Sequence, residues 1–187
     1  PRKGRKREFY QCDVDIVGTE SVLADAEILL IAYSGFSALG LDEHIILINN
    51  RKILNSLMRK LEIPAEQVIE VLRSIDKFDK VGLEGVEKEL AERNVKKEAI
   101  PSILDFIDKK NQSNEELLNK IADKLAGDEE GEQGIAELKE VLGVLDSYGV
   151  PAKNIDFNLR LTRGLDYYTG MVFEVVLPKF GEMSLAG

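Results

Sequence analysis

The sequence has very few of the residues that build disulfides, metal sites and hydrolytic centres. Its 187 residues include one cysteine, Cys12, one histidine, His44, and no tryptophan. A single cysteine excludes an internal disulfide framework and a cysteine-rich metal site. A single histidine leaves almost no material for a histidine metal site or a Ser-His-Asp triad. We therefore predict that His44 is a strand-end residue rather than a ligand.

Long apolar runs are also missing. No run reaches the roughly 20 apolar residues that a membrane-spanning helix needs, and no segment has the pattern of a signal peptide. These absences predict a soluble, cytoplasmic protein with no membrane partner. Hydrophobic residues make up 44% of the chain, which is enough for one core domain and a smaller appended unit.

The charge is unevenly distributed. The net charge is -9, although five of the first seven residues are basic: Arg2, Lys3, Arg5, Lys6 and Arg7. An acidic chain is a poor general binder of nucleic acids, because phosphate contacts need lysine and arginine. The basic cluster on its own is typical of a solvated tail. Next to a substrate site, the same cluster would suit the phosphates of ATP or of a tRNA end.

The first third of the chain predicts a strand, a helix, a strand and a helix. Residues 9–17 alternate, with Phe9, Gln11, Asp13, Asp15 and Val17 on one face and an apolar second face. A helix follows, capped by Ser21 or Asp25 and ended by Gly40. Residues 44–48 form a continuous apolar run typical of a central strand, and 49–51 predict a turn before a helix over 53–61.

Strand signals disappear between residues 64 and 131. Helical spacing predicts short helices over 65–77, 83–93, 99–110 and 115–125, followed by an acidic hinge at 128–132. We predict a helical insertion domain over 64–131 within a discontinuous catalytic core of 1–63 and 132–187. Four lysines of this region are better explained as a solvated helical surface than as nucleic-acid contacts: Lys77, Lys80, Lys109 and Lys110.

The last third predicts a helix and two strands. Apolar residues 135–145 have helical spacing, residues 155–161 alternate, and residues 171–177 form an apolar run that stops at Pro178. The strand at 155–161 reaches the one at 171–177 through a turn at Thr169-Gly170, without a crossover helix. This arrangement predicts an α+β fold with a largely antiparallel sheet backed by helices.

Residues 163–174 carry the most chemistry in the chain, reading Arg-Gly-Leu-Asp-Tyr-Tyr-Thr-Gly-Met-Val-Phe-Glu. A fixed guanidinium suits a phosphate or carboxylate, and an adjacent tyrosine offers a hydroxyl and a flat ring. The plain structural alternative is a buried tyrosine pair with a surface ion pair between Arg163 and Asp166.

Residues 163–174 and 7–18 together resemble histidyl-tRNA synthetases, a family of class II aminoacyl-tRNA synthetases. The second stretch, Arg-Glu-Phe-Tyr-Gln-Cys-Asp-Val-Asp-Ile-Val-Gly, is similar to the descending half of the second class II motif. The resemblance implies a class II core, activation of histidine by ATP with Mg2+, transfer to tRNA(His), a homodimer and no permanent cofactor.

The resemblance also implies roles for individual residues. Arg163 matches the arginine that contacts the α-phosphate and the carboxylate during activation. The histidine ammonium group would meet Gln11, and its imidazole would meet Asp15 and Tyr168, with Tyr167 as pocket wall. Bacterial members more often have glutamate at the Asp15 position. The ATP contacts implied are Phe9 against adenine and Arg5 or Arg7 at the phosphates. Asp25-Ala26-Glu27 also recurs in the family, and a structural role is favoured for it.

The family's first and third class II motifs, one half of the second and the anticodon-binding domain have no counterpart in these residues. We therefore expect a catalytic-core fragment that is inactive alone. Two other interpretations stay open: a synthetase-like regulatory subunit of ATP phosphoribosyltransferase, and a synthetase-like domain that senses tRNA without catalysis. The intact Arg163, Gln11 and Tyr168 favour the synthetase.

Overall fold

The computed structural model describes residues 7–109, 112–162, 168–181 and 184–187. The described strands are β1 (Ile45–Asn50), β2 (Ile155–Phe157), β3 (Met171–Val176) and β4 (Ser184–Ala186). The helices are α1 (Val22–Ala38), α2 (Arg51–Lys60), α3 (Ala65–Asp76), α4 (Phe78–Glu92), α5 (Ile100–Ile107), α6 (Asn114–Leu125) and α7 (Glu129–Ser147). The predicted α+β class is confirmed.

The four described strands form one sheet with the order β2-β1-β3-β4. β1 is antiparallel to β3, and β3 is antiparallel to β4, so the sheet is largely antiparallel as predicted. The expected pairing of residues 155–161 with 171–177 is wrong, because β1 lies between β2 and β3 and pairs in parallel with β2. A parallel pair needs a long crossover, and the chain supplies one through the helices between β1 and β2.

The predicted strand at 155–161 is also shorter than expected. It ends at Phe157, and the next residues form a turn in which Asn158 Oδ1 accepts a hydrogen bond from the Arg160 backbone N at 3.0 Å. Asparagine commonly terminates strands in this way, since its side chain mimics a backbone acceptor. Leu159 and Leu161 remain buried, so their alternation reports burial rather than strand pairing.

Helices α2 and α7 pack closely because α7 carries glycine where they meet. A Cβ atom on Gly131 would lie 2.4 Å from Ser56 Oγ, and one on Gly134 would lie 3.0 Å from Lys52 Cβ. No side chain larger than hydrogen fits at Gly131 without a shift of its neighbour. This contact helps to enclose a hydrophobic core that also includes the completely buried Ile46, Ile48 and Phe157.

The predicted helices between residues 64 and 125 are confirmed to within a few residues, with a break inside α4 where Gly82 has a φ of 69°. The predicted hinge at 128–132 is wrong. Asp128 caps α7 by accepting from the Gly131 backbone N at 3.0 Å, and the glutamates that follow form the first turn. Carboxylates stabilise helix N-termini, which explains the acidic run. The division into core and insertion domain stays a prediction.

The predicted strand at 9–17 is wrong. Residues 9–20 form neither helix nor strand, and Tyr10 and Val17, from the two faces of the expected strand, are 104% and 92% exposed. Alternation produces a strand only where a neighbouring strand satisfies its backbone groups, and the described sheet pairs other segments. The helix after it forms as expected, and Ser21 is the cap, its Oγ accepting from the Leu23 backbone N at 3.3 Å.

None of the helices in the described ranges combines the length and the apolar character that crossing a membrane requires.

Candidate substrate site at the end of the first strand

Three consecutive polar residues are buried where β1 meets α2. Asn49 and Asn50 are completely buried, and Arg51 is 7% exposed. A buried polar group costs stability unless it is hydrogen-bonded, so a run of three at the end of a central strand calls for partners. Asn49 and the Arg51 backbone have partners on the two sides of residues 163–167, and the Asn50 side chain bonds to Glu137.

The Asn49 side chain holds the chain just before that segment. Its Nδ2 donates to the Leu161 carbonyl oxygen at 3.0 Å, and its Oδ1 accepts from the Asn50 backbone N at 2.8 Å. Thr162 is 2% exposed, and its hydroxyl donates to the Leu72 carbonyl oxygen of α3 at 3.3 Å. The entry to the motif is therefore attached to both the sheet and α3.

The exit from the motif is attached to the same end of β1. The Arg51 backbone N donates to the Gly170 carbonyl oxygen at 2.8 Å. In the two residues before Arg51, the ladder pairs Asn50 with Met171 and Asn49 with Val172. The described residues on both sides of 163–167 are thus bonded to three consecutive residues of the β1–α2 junction.

A half-buried charged cluster supports the start of α2. Asn50 caps the helix, with its Oδ1 accepting from the Lys52 backbone N at 3.0 Å. Asn50 Nδ2 and Lys52 Nζ both donate to the Glu137 carboxylate, at 2.8 Å and 2.5 Å. Burial, and then the negative charge of Glu137, raise the pKa of Asp25. Asp25 lies in the first turn of α1, and Ser21 rather than Asp25 caps that helix.

The residues predicted for the substrates are distributed unequally. Arg163, Tyr167 and Arg5 lie outside the described residues. Tyr168 is described and is 41% exposed, just before β3. The others, Arg7, Phe9, Gln11 and Asp15, belong to the exposed N-terminal segment. There Gln11 Nε2 donates to Asp13 Oδ1 at 2.6 Å, a local contact. The roles implied by the resemblance stay predictions.

Asn49 is not among the residues predicted for the site. The Asn-Asn-Arg run predicts a turn, whereas the two asparagines are the last residues of β1. The available signal was an asparagine directly after a run of isoleucine and leucine, because strands disfavour asparagine. Such a residue inside an apolar strand indicates a specific buried partner.

Comparison with known proteins identifies the family. The chain matches the family described as "Histidyl-tRNA synthetase" over residues 1–187. It is 40% identical to a histidine--tRNA ligase of Clostridium tetani over 191 aligned residues, which is 100% of this chain and 43% of that protein. It is 35% identical to the corresponding ligase of Flavobacterium johnsoniae, over 100% of this chain and 39% of that one. The chain thus spans less than half the length of these relatives.

Solved structures agree with this assignment. The crystal structure of histidyl-tRNA synthetase from Nostoc sp. PCC 7120 matches with a TM-score of 0.79 and 33% identity, over 85% of this chain and 37% of that one. An ATP phosphoribosyltransferase regulatory subunit/histidyl-tRNA synthetase from Bacillus halodurans matches with a TM-score of 0.76. At 21% identity, over 90% of this chain and 42% of that one, this second match shows the shared fold alone. Because the family match covers residues 1–187, the chain belongs to the histidyl-tRNA synthetases.

Proposed function

We propose that the protein containing these residues activates histidine with ATP and transfers it to tRNA(His), with the Arg163–Tyr168 motif at the centre of the substrate site. One observation carries the proposal. The described residues that flank this motif are held by hydrogen bonds at the end of β1, Leu161 by the Asn49 side chain and Gly170 by the Arg51 backbone. A site that must hold a polyanion in line with a carboxylate needs such rigid support.

The chemistry explains the residue types. A carboxylate oxygen of histidine attacks the α-phosphorus of ATP, a bond to the bridging oxygen breaks, and pyrophosphate leaves. The 3′-terminal hydroxyl of the tRNA then attacks the histidyl carbonyl and releases AMP. The first step brings two anions together, so positioned positive charge contributes more than acid-base catalysis. Arg163 and the Mg2+ that accompanies ATP would supply that charge.

The remaining roles are part of the same proposal. Asp15 and Tyr168 would hold the imidazole, Gln11 the ammonium group, and Tyr167 a wall of the pocket. For ATP, Phe9 would stack on adenine and Arg5 or Arg7 would meet the phosphates. The complete protein would be a cytoplasmic homodimer, with residues 64–131 as an inserted domain.

Histidine-dependent exchange between ATP and pyrophosphate in the complete gene product tests the proposal. We expect Arg163→Ala to reduce exchange by about a hundredfold or more, the usual cost of losing a preorganised charge in the transition state. Arg160→Ala is the matched control. Arg160 lies three residues earlier, pairs with Asp79 at 3.0 Å and stacks 4.3 Å over the Phe78 ring. Equal activity in the two variants would contradict the role of Arg163.

The 187 residues alone should behave differently. We expect weak binding of histidine and barely measurable exchange, because the resemblance assigns two more phosphate-binding arginines to motifs that these residues do not contain. Calorimetry with histidine and histidinol, beside the exchange assay, measures both properties. Robust exchange by these residues alone would contradict this expectation. Histidine binding without exchange in the complete gene product would instead indicate a non-catalytic regulatory subunit.

A further inference from the structure

We infer that Asn49 is a positioning residue for the substrate site, acting through its hydrogen bond to Leu161. The inference deepens the proposed function and rests on it for its catalytic consequence. The bond itself is a property of the fold: a completely buried amide on a central strand donates to the last carbonyl but one before Arg163.

Asparagine is a costly choice at this position. β1 is paired on both sides, with β2 and with β3, and Ile46 and Ile48 of the same strand are completely buried. Strands of this kind favour β-branched and other apolar residues, and an amide there must have partners for both of its ends. Asn49 meets that demand, since its Oδ1 also accepts from the Asn50 backbone N at 2.8 Å. No apolar side chain could replace both bonds.

The position of Asn49 is what connects it to the site. Of the two attachments of the motif to the β1–α2 junction, the exit depends on the Arg51 backbone, which no side-chain substitution removes. The entry depends on the Asn49 side chain. Substituting Asn49 should therefore loosen the chain at Leu161, two residues before Arg163, and leave the bond to Gly170, two residues after Tyr168, in place. Thr162 would still be attached to α3.

A small displacement at the entry has a defined kinetic signature. Misplacing a catalytic group by about 1 Å can cost on the order of a hundredfold in rate. Because Arg163 is assigned to the transition state and Tyr168 to histidine binding, kcat for exchange should fall more than KM for histidine rises. A residue that only stabilised the fold would lower the amount of active protein without separating these two constants.

Asn154 provides a matched control within the same sheet. It is 2% exposed, and its Nδ2 donates to the carbonyl oxygens of Asp42 at 3.1 Å and His44 at 2.6 Å. These bonds join the start of β2 to the start of β1, the end of the strand opposite Asn49. Asn154→Ala removes a comparable buried amide away from the motif.

The experiment compares Asn49→Ala, Asn49→Asp and Asn154→Ala in the complete gene product. Asn49→Asp keeps an acceptor for the Asn50 backbone N but loses the donor to Leu161. We expect both Asn49 variants to lower kcat at least about tenfold with a smaller change in KM, and Asn154→Ala to stay within about twofold. Equal losses of kcat in the Asn49 and Asn154 variants would overturn the inference, as would an unchanged kcat in the Asn49 variants. If Asn49→Ala does not fold, Asn49→Ser is the milder variant.

Hydrogen–deuterium exchange separates this inference from the proposed function. Asn49→Ala should speed amide exchange in peptides covering residues 159–171, and Asn154→Ala in peptides covering 42–46 and 152–156. If the wild-type protein is folded but inactive, the proposed function fails, while this comparison still tests the positioning. Unchanged exchange over 159–171 in Asn49→Ala would overturn it.

Discussion

Two segments of this chain alternate between apolar and polar residues, and only one of them forms a strand. Residues 155–157 pair with β1 as β2, and Phe157 is completely buried. Residues 9–17 have the clearer pattern, yet they are irregular, and Phe9 is 73% exposed. Alternation indicates which side chains would be buried together if a strand formed, but it does not supply the neighbour that makes a strand.

β2 has a hydrogen-bonding partner along each of its two edges. On one side the ladder pairs Ile155 with Ile46 and Phe157 with Ile48. On the other side the Asn114 side chain takes the place of a strand. Its Nδ2 donates to the Ile155 carbonyl oxygen and its Oδ1 accepts from the Phe157 backbone N, both at 2.9 Å. Lys109 adds an ion pair with Asp156. A three-residue strand persists because both of its edges are satisfied.

The largest expected difference in stability is between substitutions of Phe157 in β2 and Tyr10 in the N-terminal segment. Phe157→Ala should lower the free energy of unfolding by about 3–5 kcal/mol, because it leaves a cavity in the core. Tyr10→Ala should change it by less than about 0.5 kcal/mol, since the ring is fully exposed. Urea unfolding followed by circular dichroism measures both. A large loss from Tyr10→Ala would show that the N-terminal segment packs against the protein in solution.

The amide groups of the two segments give the next test. Asn114→Ala should cost about 1–3 kcal/mol, because the Ile155 carbonyl and the Phe157 backbone N lose their partner at a part-buried edge. Gln11→Ala should have almost no effect, since the bond of Gln11 within the described ranges is a local one to the exposed Asp13. Comparable losses from the two substitutions would contradict the difference between the segments.

A pH series compares a carboxylate of the folded core, Asp128 at the start of α7, with Asp13 of the exposed N-terminal segment. Hydrogen bonds from Arg59, at 2.7 Å and 3.1 Å, hold the pKa of Asp128 well below its usual 3.8. A lowered folded-state pKa means that the stabilisation is complete above the unfolded value and is lost as the pH falls below it. Asp128→Ala should therefore cost about 1–2 kcal/mol at neutral pH, from the cap and the ion pair.

That cost should shrink as the pH is lowered through about 4 and below. Asp13→Ala, in the exposed segment, is the control and should have little effect at any pH. A cost of Asp128→Ala that stayed constant into acid would indicate that the charge of Asp128 contributes nothing.

The smallest expected effect lies at the boundary between the N-terminal segment and α1. Ser21→Ala removes the helix cap and should cost about 0.5–1 kcal/mol, at the low end because the site is exposed. Thr19→Ala, which loses only a hydrogen bond from the Ser21 backbone N at 3.1 Å, should cost less. Thermal unfolding of both variants tests this ranking. A larger loss from Thr19→Ala than from Ser21→Ala would indicate that the structure of the residues before α1 contributes to stability.

Helices were predicted more accurately than strands, and the residues show why. The spacing of Val71, Leu72 and Ile75 identifies α3 from local sequence, because every backbone bond of a helix is internal to it. The Asn-Gln-Ser-Asn run at 111–114 predicts a turn between helices. Ser113 of this run caps α6 and forms a capping box with Glu116. For β2, the predicted partner was the strand nearest in sequence, and the actual partner lies more than a hundred residues earlier.

In the candidate site, too, one part could be predicted from the sequence and another could not. The motif around Arg163 was recognisable because it resembles the signature of a known family, and an arginine in it suits the binding of an anion. The support for that motif was not recognisable, since the bond between Asn49 and Leu161 joins residues 112 positions apart. Nothing near Asn49 in the sequence indicates which carbonyl its amide meets.

Local spacing in the sequence was enough to predict most of the helices and the α+β class, and the motifs at 7–18 and 163–174 indicated, by resemblance, the family to which the chain belongs. Only the tertiary structure decided that β1 separates β2 from β3 and that residues 9–17 remain unpaired among the described strands. It also decided that Asn49 and Arg51 bond to Leu161 and Gly170, on the two sides of the motif. The physical reason is the range of the interactions. Helical hydrogen bonds and caps connect residues within a few positions, whereas strand pairing and buried amide contacts depend on which distant segments the fold brings together.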